Sequence, residues 1–126
     1  MTRVKLVQTA QGYFRYCKAE GHSGFAKAGA DIVCSAISVL FRTTLKILED
    51  TEGLSVKSNI TKRGTLEFWI ADEKSLNKSE KLQSAIKNIL PKLEGILKYT
   101  NDFLVTGLSS LQSEYPGNVE VTIETE

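Results

Sequence analysis

Cysteine, proline and histidine are scarce in this chain of 126 residues, at two, two and one. The two cysteines, Cys17 and Cys34, are too few to staple a secreted scaffold of this length, so each reads as a free thiol of a reducing compartment. With so little proline, and glycine at nine positions without a period, a collagen-like repeat is excluded. Charge of one sign is also missing. Sixteen basic side chains stand against fifteen acidic ones, a net charge of +1, so no whole-molecule field draws the chain onto phosphate backbones or anionic lipid. No apolar run approaches bilayer length, and Met1 to Ala10 lacks the apolar stretch of a signal peptide. The expectation is a cytoplasmic protein with no membrane contact and no direct nucleic-acid partner.

What is present fits one ordinary domain over residues 1–126. Hydrophobic residues make up 41% and charged residues 25%, enough for one sizeable core and too little length for two. Val4 to Val7 and Gly12 to Glu20 read as strands around the turn residues Thr9 to Gly12. From Ala30 to Leu48 the positions Val33, Ile37, Leu40, Phe41, Leu45 and Leu48 recur at helical spacing. Leu54 to Ile60 and Leu66 to Ile70 alternate as a second hairpin around Lys62, Arg63 and Gly64. Alternation also sets Trp69 beside Glu67 on the face opposite Leu66, Phe68 and Ile70, where a large indole is expected to meet a partner. A long apolar stripe then runs from Leu82 through Leu93, Phe103 and Leu104 to Leu111. Pro91 interrupts it, and the expectation is two helices divided near Leu90. After Pro116 and Gly117, Val119, Val121 and Ile123 alternate with polar residues as a last strand. The fold class is α+β: a mostly antiparallel sheet of two hairpins plus a C-terminal strand, covered by long helices on one face.

Chemistry concentrates between the second strand and the first helix. Gly21, Gly24 and Gly29 lie there with small residues and one large apolar side chain, Phe25, so the segment reads as a flexible loop, ordered on binding a peptide. His22 is the chain's lone histidine, the side chain that titrates near neutral pH. Asp31 falls in the first turn of the helix and Cys34 close behind, where unpaired backbone amides favour negative charge and so favour a thiolate. A loop folding back onto that turn brings His22 to Cys34, the base and nucleophile of thiol-dependent acyl transfer. Ser38, one turn on, is placed to offer its hydroxyl to the sulfur, and Asp31 either to orient the imidazole or to bond the amides of its own helix turn. Taken alone, the same residues also fit a small core thiol on an apolar helix beside an ordinary loop histidine. Cys17, His22 and Cys34 lack the tight spacing and the number of ligands of a zinc site, and the glycines lack the Lys and Ser/Thr placement of a phosphate-binding loop. No metal and no cofactor are expected.

The run Gly21-His22-Ser23, followed by Gly29-Ala30-Asp31-Ile32-Val33-Cys34 and Ser38, closely resembles the signature of the bacterial ribosomal-processing cysteine proteases, the Prp family. Gly107 to Leu111 with Tyr115 and Pro116 is similar to that family's last helix and its exit to the final strand. The resemblance implies a cytoplasmic homodimer that removes a short N-terminal extension from large-subunit ribosomal protein twenty-seven, cutting after a phenylalanine. It implies Cys34 as nucleophile and His22 as general base. The alternative from another class is a non-catalytic ribosome-associated or ribosome-assembly factor of the same fold, making contact through the basic residues near Lys62 and Arg63 or through the lysine-rich helix. Thiol reactivity separates the two.

Overall fold

Alternating apolar residues at Val4 and Leu6, and again at Cys17 and Ala19, give strands with one dry face and one wet face. The computed structural model describes residues 1–21, 28–61, 64–71 and 80–126, and among these the side chains of all but residues 28–31, 61 and 80–90. Strand β1 (Thr2–Gln8) pairs antiparallel with β2 (Phe14–Glu20), setting Arg3 opposite Glu20 and Leu6 opposite Cys17. Helix α1 (Ala28–Glu49) follows, then the antiparallel hairpin β3 (Val56–Thr61) and β4 (Thr65–Ile70). Helix α2 (Glu80–Glu114) leads to β5 (Val119–Thr125).

The five strands form one sheet in the order β3-β4-β2-β1-β5. The hairpins join through the antiparallel β2–β4 pair, whereas β5 lies parallel to β1. The sheet is therefore mixed, with its majority of pairings antiparallel as expected. The parallel pair follows from connectivity: α2 is long enough to carry the chain back and let β5 run in the direction of β1. Both helices cover one face. Val4, Leu6, Cys17, Ala19, Phe68 and Val119 from the sheet are buried against Val33, Ile37, Phe41, Leu104 and Leu108 from the helices. Phe68 is the hub, with its ring 5.3 Å from that of Phe14 and edge-on to Phe41 at 5.8 Å. On the opposite face Arg3 and Lys5 pair with Glu120 and Glu124 across the β1–β5 register, exposed contacts that add little stability.

Two expectations are corrected. The stripe expected to divide near Leu90 is one continuous helix, α2, with Pro91 inside it. Proline removes a single backbone donor, and Pro91 is exposed, so its ring displaces no core residue. Buried contacts at Leu93, Leu104 and Leu108 hold the helix beyond it. Phe103 was also expected in the apolar stripe but is 47% exposed. The row that starts at Leu93 instead continues through Thr100 and Asn101, both buried, before reaching Leu104. Asn101 keeps its place there by donating from Nδ2 to Gln8 Oε1 at 2.7 Å. Where α1 and α2 meet, Gly107 lies so close to Leu40 that a Cβ would sit 3.0 Å from both its terminal methyls, so the absence of a side chain sets the approach of the helices.

Candidate active site

Along α1 the row Val33, Ile37, Phe41, Leu45 and Leu48 is driven into the core. That rotation leaves Cys34, Ser38 and Arg42, four residues apart, along one border of the helix. They form one wall of a cleft of about 230 Å³ between α1 and one end of the sheet. Thr2, Gly21 and Gly64 supply the opposite wall, with Ala19, Ile37, Leu66 and Ile60 making an apolar lining. Arg42 brings a positive charge, and Glu20 brings a negative one, paired with Lys18 at 3.6 Å.

Cys34 is half-buried in this cleft, and its sulfur lies 3.5 Å from the Thr2 hydroxyl. The helix begins at Ala28, two residues earlier than the periodicity indicates, which moves Cys34 into the second turn. The pull of unpaired amides fades beyond the first turn, so the feature that distinguishes this sulfur is the Thr2 contact rather than the helix N-terminus. Ser38 lines the same cleft one turn on, but the hydroxyl that meets the sulfur belongs to Thr2.

Gly21, expected at the start of a flexible loop, follows directly on β2. Its N–H donates to the Gly64 carbonyl at 3.1 Å, and its φ of +156° lies where only glycine is comfortable. A Cβ there would sit 2.8 Å from the Thr2 Cα and 3.2 Å from its hydroxyl. Gly29, at the other end of the expected loop, lies within the first turn of α1. His22, Gly24 and Phe25 lie outside the described residues, as do Lys62, Arg63 and the side chain of Asp31. Thr2 and Arg42 went unnoticed in the sequence. Thr2 opposite Gly21 is one step beyond the Arg3–Glu20 pair, so the hairpin register was the signal that could have found it.

Cys17 is the contrasting thiol. It is fully buried between Leu6 and Phe68, and burial pushes its thiol well above the ordinary range. A backbone hydrogen bond from Phe68 works against this rise, and the negative charge of Glu67 adds to it. On the outer sheet face Tyr16 donates to Glu67, and its hydroxyl is raised by desolvation first and by that bond second. Trp69 stands opposite Tyr16 on the same face, as the alternation indicates. Among the described residues no group of three or more His, Cys, Asp or Glu is arranged to hold a metal ion, and no described helix is long and apolar enough to cross a membrane. Iodoacetamide near neutral pH is expected to modify Cys34 at least about tenfold faster than Cys17 in the folded protein, as read by peptide mapping. Equal, slow modification of both would remove Cys34 from consideration as a nucleophile.

Comparison with known proteins adds to this geometry. The family described as Cysteine protease Prp matches residues 1–120. The fold is similar to that of a crystal structure of an essential ribosomal processing protease Prp from Staphylococcus aureus in complex with a substrate peptide. That match has a TM-score of 0.68 and 15% identity, over 98% of this chain and 100% of that one. The same Staphylococcus aureus protease with a covalently linked product peptide matches with a TM-score of 0.65 and 18% identity, over 98% of this chain and 100% of that one. SMU.848 from Streptococcus mutans matches with a TM-score of 0.62 and 23% identity, covering 100% of this chain and 96% of its own. No curated protein matches the sequence.

Proposed function

The chain belongs to the Prp family of cysteine proteases, and from that premise we propose that Cys34 and His22 form its nucleophile and general base. We infer as substrate the N-terminal extension of large-subunit ribosomal protein twenty-seven, cut on the C-terminal side of a phenylalanine. The observation that carries this reading is the position of the Cys34 sulfur. It opens into a cleft whose opposite wall is Gly21, the residue that hands the chain on to His22. His22 lies outside the described residues, and its role rests on this adjacency together with the family signature.

In this reading the Cys34 thiolate attacks the scissile carbonyl carbon, and the leaving amine takes its proton from His22. Water then hydrolyses the thioester as His22 accepts a proton back. The Gly21 amide is committed to the Gly64 carbonyl, so donors to the developing oxyanion come from other groups. The apolar lining formed by Ala19, Ile37, Ile60 and Leu66 suits an apolar side chain beside the cut bond. The proposal includes a cytoplasmic location and a homodimer, with Tyr16 and Trp69 on the outer sheet face as its contact surface. No cofactor is invoked.

The deciding experiment uses a peptide copied from the N-terminus of the source organism's own ribosomal protein, with products read by mass spectrometry. A single cut after a phenylalanine is the expected result. An intact peptide, with the protein instead co-sedimenting with ribosomal particles, would favour the non-catalytic assembly factor.

A further inference from the structure

We propose that Thr2 is a positioning residue for the Cys34 sulfur, its hydroxyl holding the nucleophile in place and donating to it in the ionised form. This rests on the reading of Cys34 as nucleophile. Thr2 stands in the same sheet-face row as Val4 and Leu6, a row otherwise given to apolar contacts, and is 7% exposed. A hydroxyl so placed needs a partner, and among the described residues its one hydrogen-bond partner is Cys34 Sγ at 3.5 Å.

The chemistry of the pair suits the task. A hydroxyl both donates and accepts, so it accepts a hydrogen bond from the neutral thiol and donates one to the thiolate, without moving. The second arrangement is charge-assisted and therefore the stronger, so the contact holds the sulfur most firmly when it is ready to attack. The fold also immobilises the donor. The Thr2 amide donates to the Asn118 carbonyl at 2.9 Å on the β5 side, and Gly21 closes on its Cα from the β2 side. With the backbone clamped between two strands and a β-branched side chain, little freedom remains at χ1. Gly21 thus has a second reason to lack a side chain, since a Cβ would press on both the Thr2 backbone and its hydroxyl.

Thr2→Val keeps the shape and strand preference of the residue and removes only the hydroxyl. It is expected to slow alkylation of Cys34 by iodoacetamide at pH 7 about tenfold, and to lower kcat by a similar factor with KM little changed. Thr2→Ser restores the hydroxyl with a looser rotamer, and both rates should return to within about threefold of the parent. Gly21→Ala, which forces Thr2 to shift, should reproduce the Thr2→Val loss. Equal alkylation of Thr2→Val and the parent would overturn the proposal. So would a Thr2→Ser protein that melts like the parent yet reacts as slowly as Thr2→Val, because packing rather than the hydroxyl would then be responsible. Alkylation reads the sulfur with no substrate present. A chain that shows this pattern and cuts no peptide would lose the protease reading and keep this one.

Discussion

Cys34→Ala is expected to leave less than about a thousandth of the parent cleavage rate, because no other group in the cleft can form the thioester on which the reaction depends. The loss should appear in kcat, with peptide affinity retained, since the remaining cleft walls are untouched. His22→Ala is expected to cost about a hundredfold to ten-thousandfold, the usual worth of a positioned general base. The double variant should be no worse than the more damaging single one, because nucleophile and base act as a unit. Cys17→Ser supplies the control. Cys17 is fully buried on the sheet and lines no part of the cleft, so its replacement costs stability and leaves activity per folded molecule near that of the parent. Appreciable single-turnover cleavage by Cys34→Ala would end the assignment of this thiol. Loss of activity in the Cys17 variant alone would transfer the assignment to the other one.

Phe68→Ala is expected to cost about 3 to 5 kcal/mol of stability, the largest effect on folding of any single truncation considered. The ring is fully buried and touches Phe14 from the first hairpin and Phe41 from α1, so its removal opens a void where sheet and helix meet. Aromatic pairs of this geometry add stabilisation beyond the area they bury. A loss of this size is a large share of the 5 to 15 kcal/mol typical of a domain, and should lower Tm by roughly 10 to 20 °C. Urea denaturation would show it as a fall in midpoint with an unchanged slope. Activity should weaken at temperatures where the variant remains folded, because Phe68 supports Phe41 on the helix that carries Cys34 and lies two residues from Leu66 in the cleft. A change in stability below about 1 kcal/mol would mean that the neighbouring side chains close the void, and that Phe68 is not the hub of this core.

The elements of this fold were determined locally. Alternation at Val4 and Leu6, at Leu66, Phe68 and Ile70, and at Val119 and Val121 marks strands with one apolar face. The helical spacing from Val33 to Leu48 turns that row inward, and the same rotation puts Cys34 and Ser38 together on a border of α1. Each of these patterns depends on residues within a turn or two of one another, which is why the sequence alone carries them. The order β3-β4-β2-β1-β5 and the parallel partnership of β5 with β1 were decided only in the assembled structure. The β1–β5 pair joins segments more than a hundred residues apart and the β2–β4 pair segments about fifty apart, and no local periodicity encodes which edge a strand will choose. The unbroken course of α2 through Pro91 has the same origin, because packing at Leu93, Leu104 and Leu108 outweighs one lost backbone bond. The site itself divides along this line. Cys34 is legible as a candidate from its motif, whereas its hydrogen-bond partner is Thr2, thirty-two residues away. That contact exists because a sheet pairing and a helix packing converge on one point, and only tertiary structure brings two such distant constraints together.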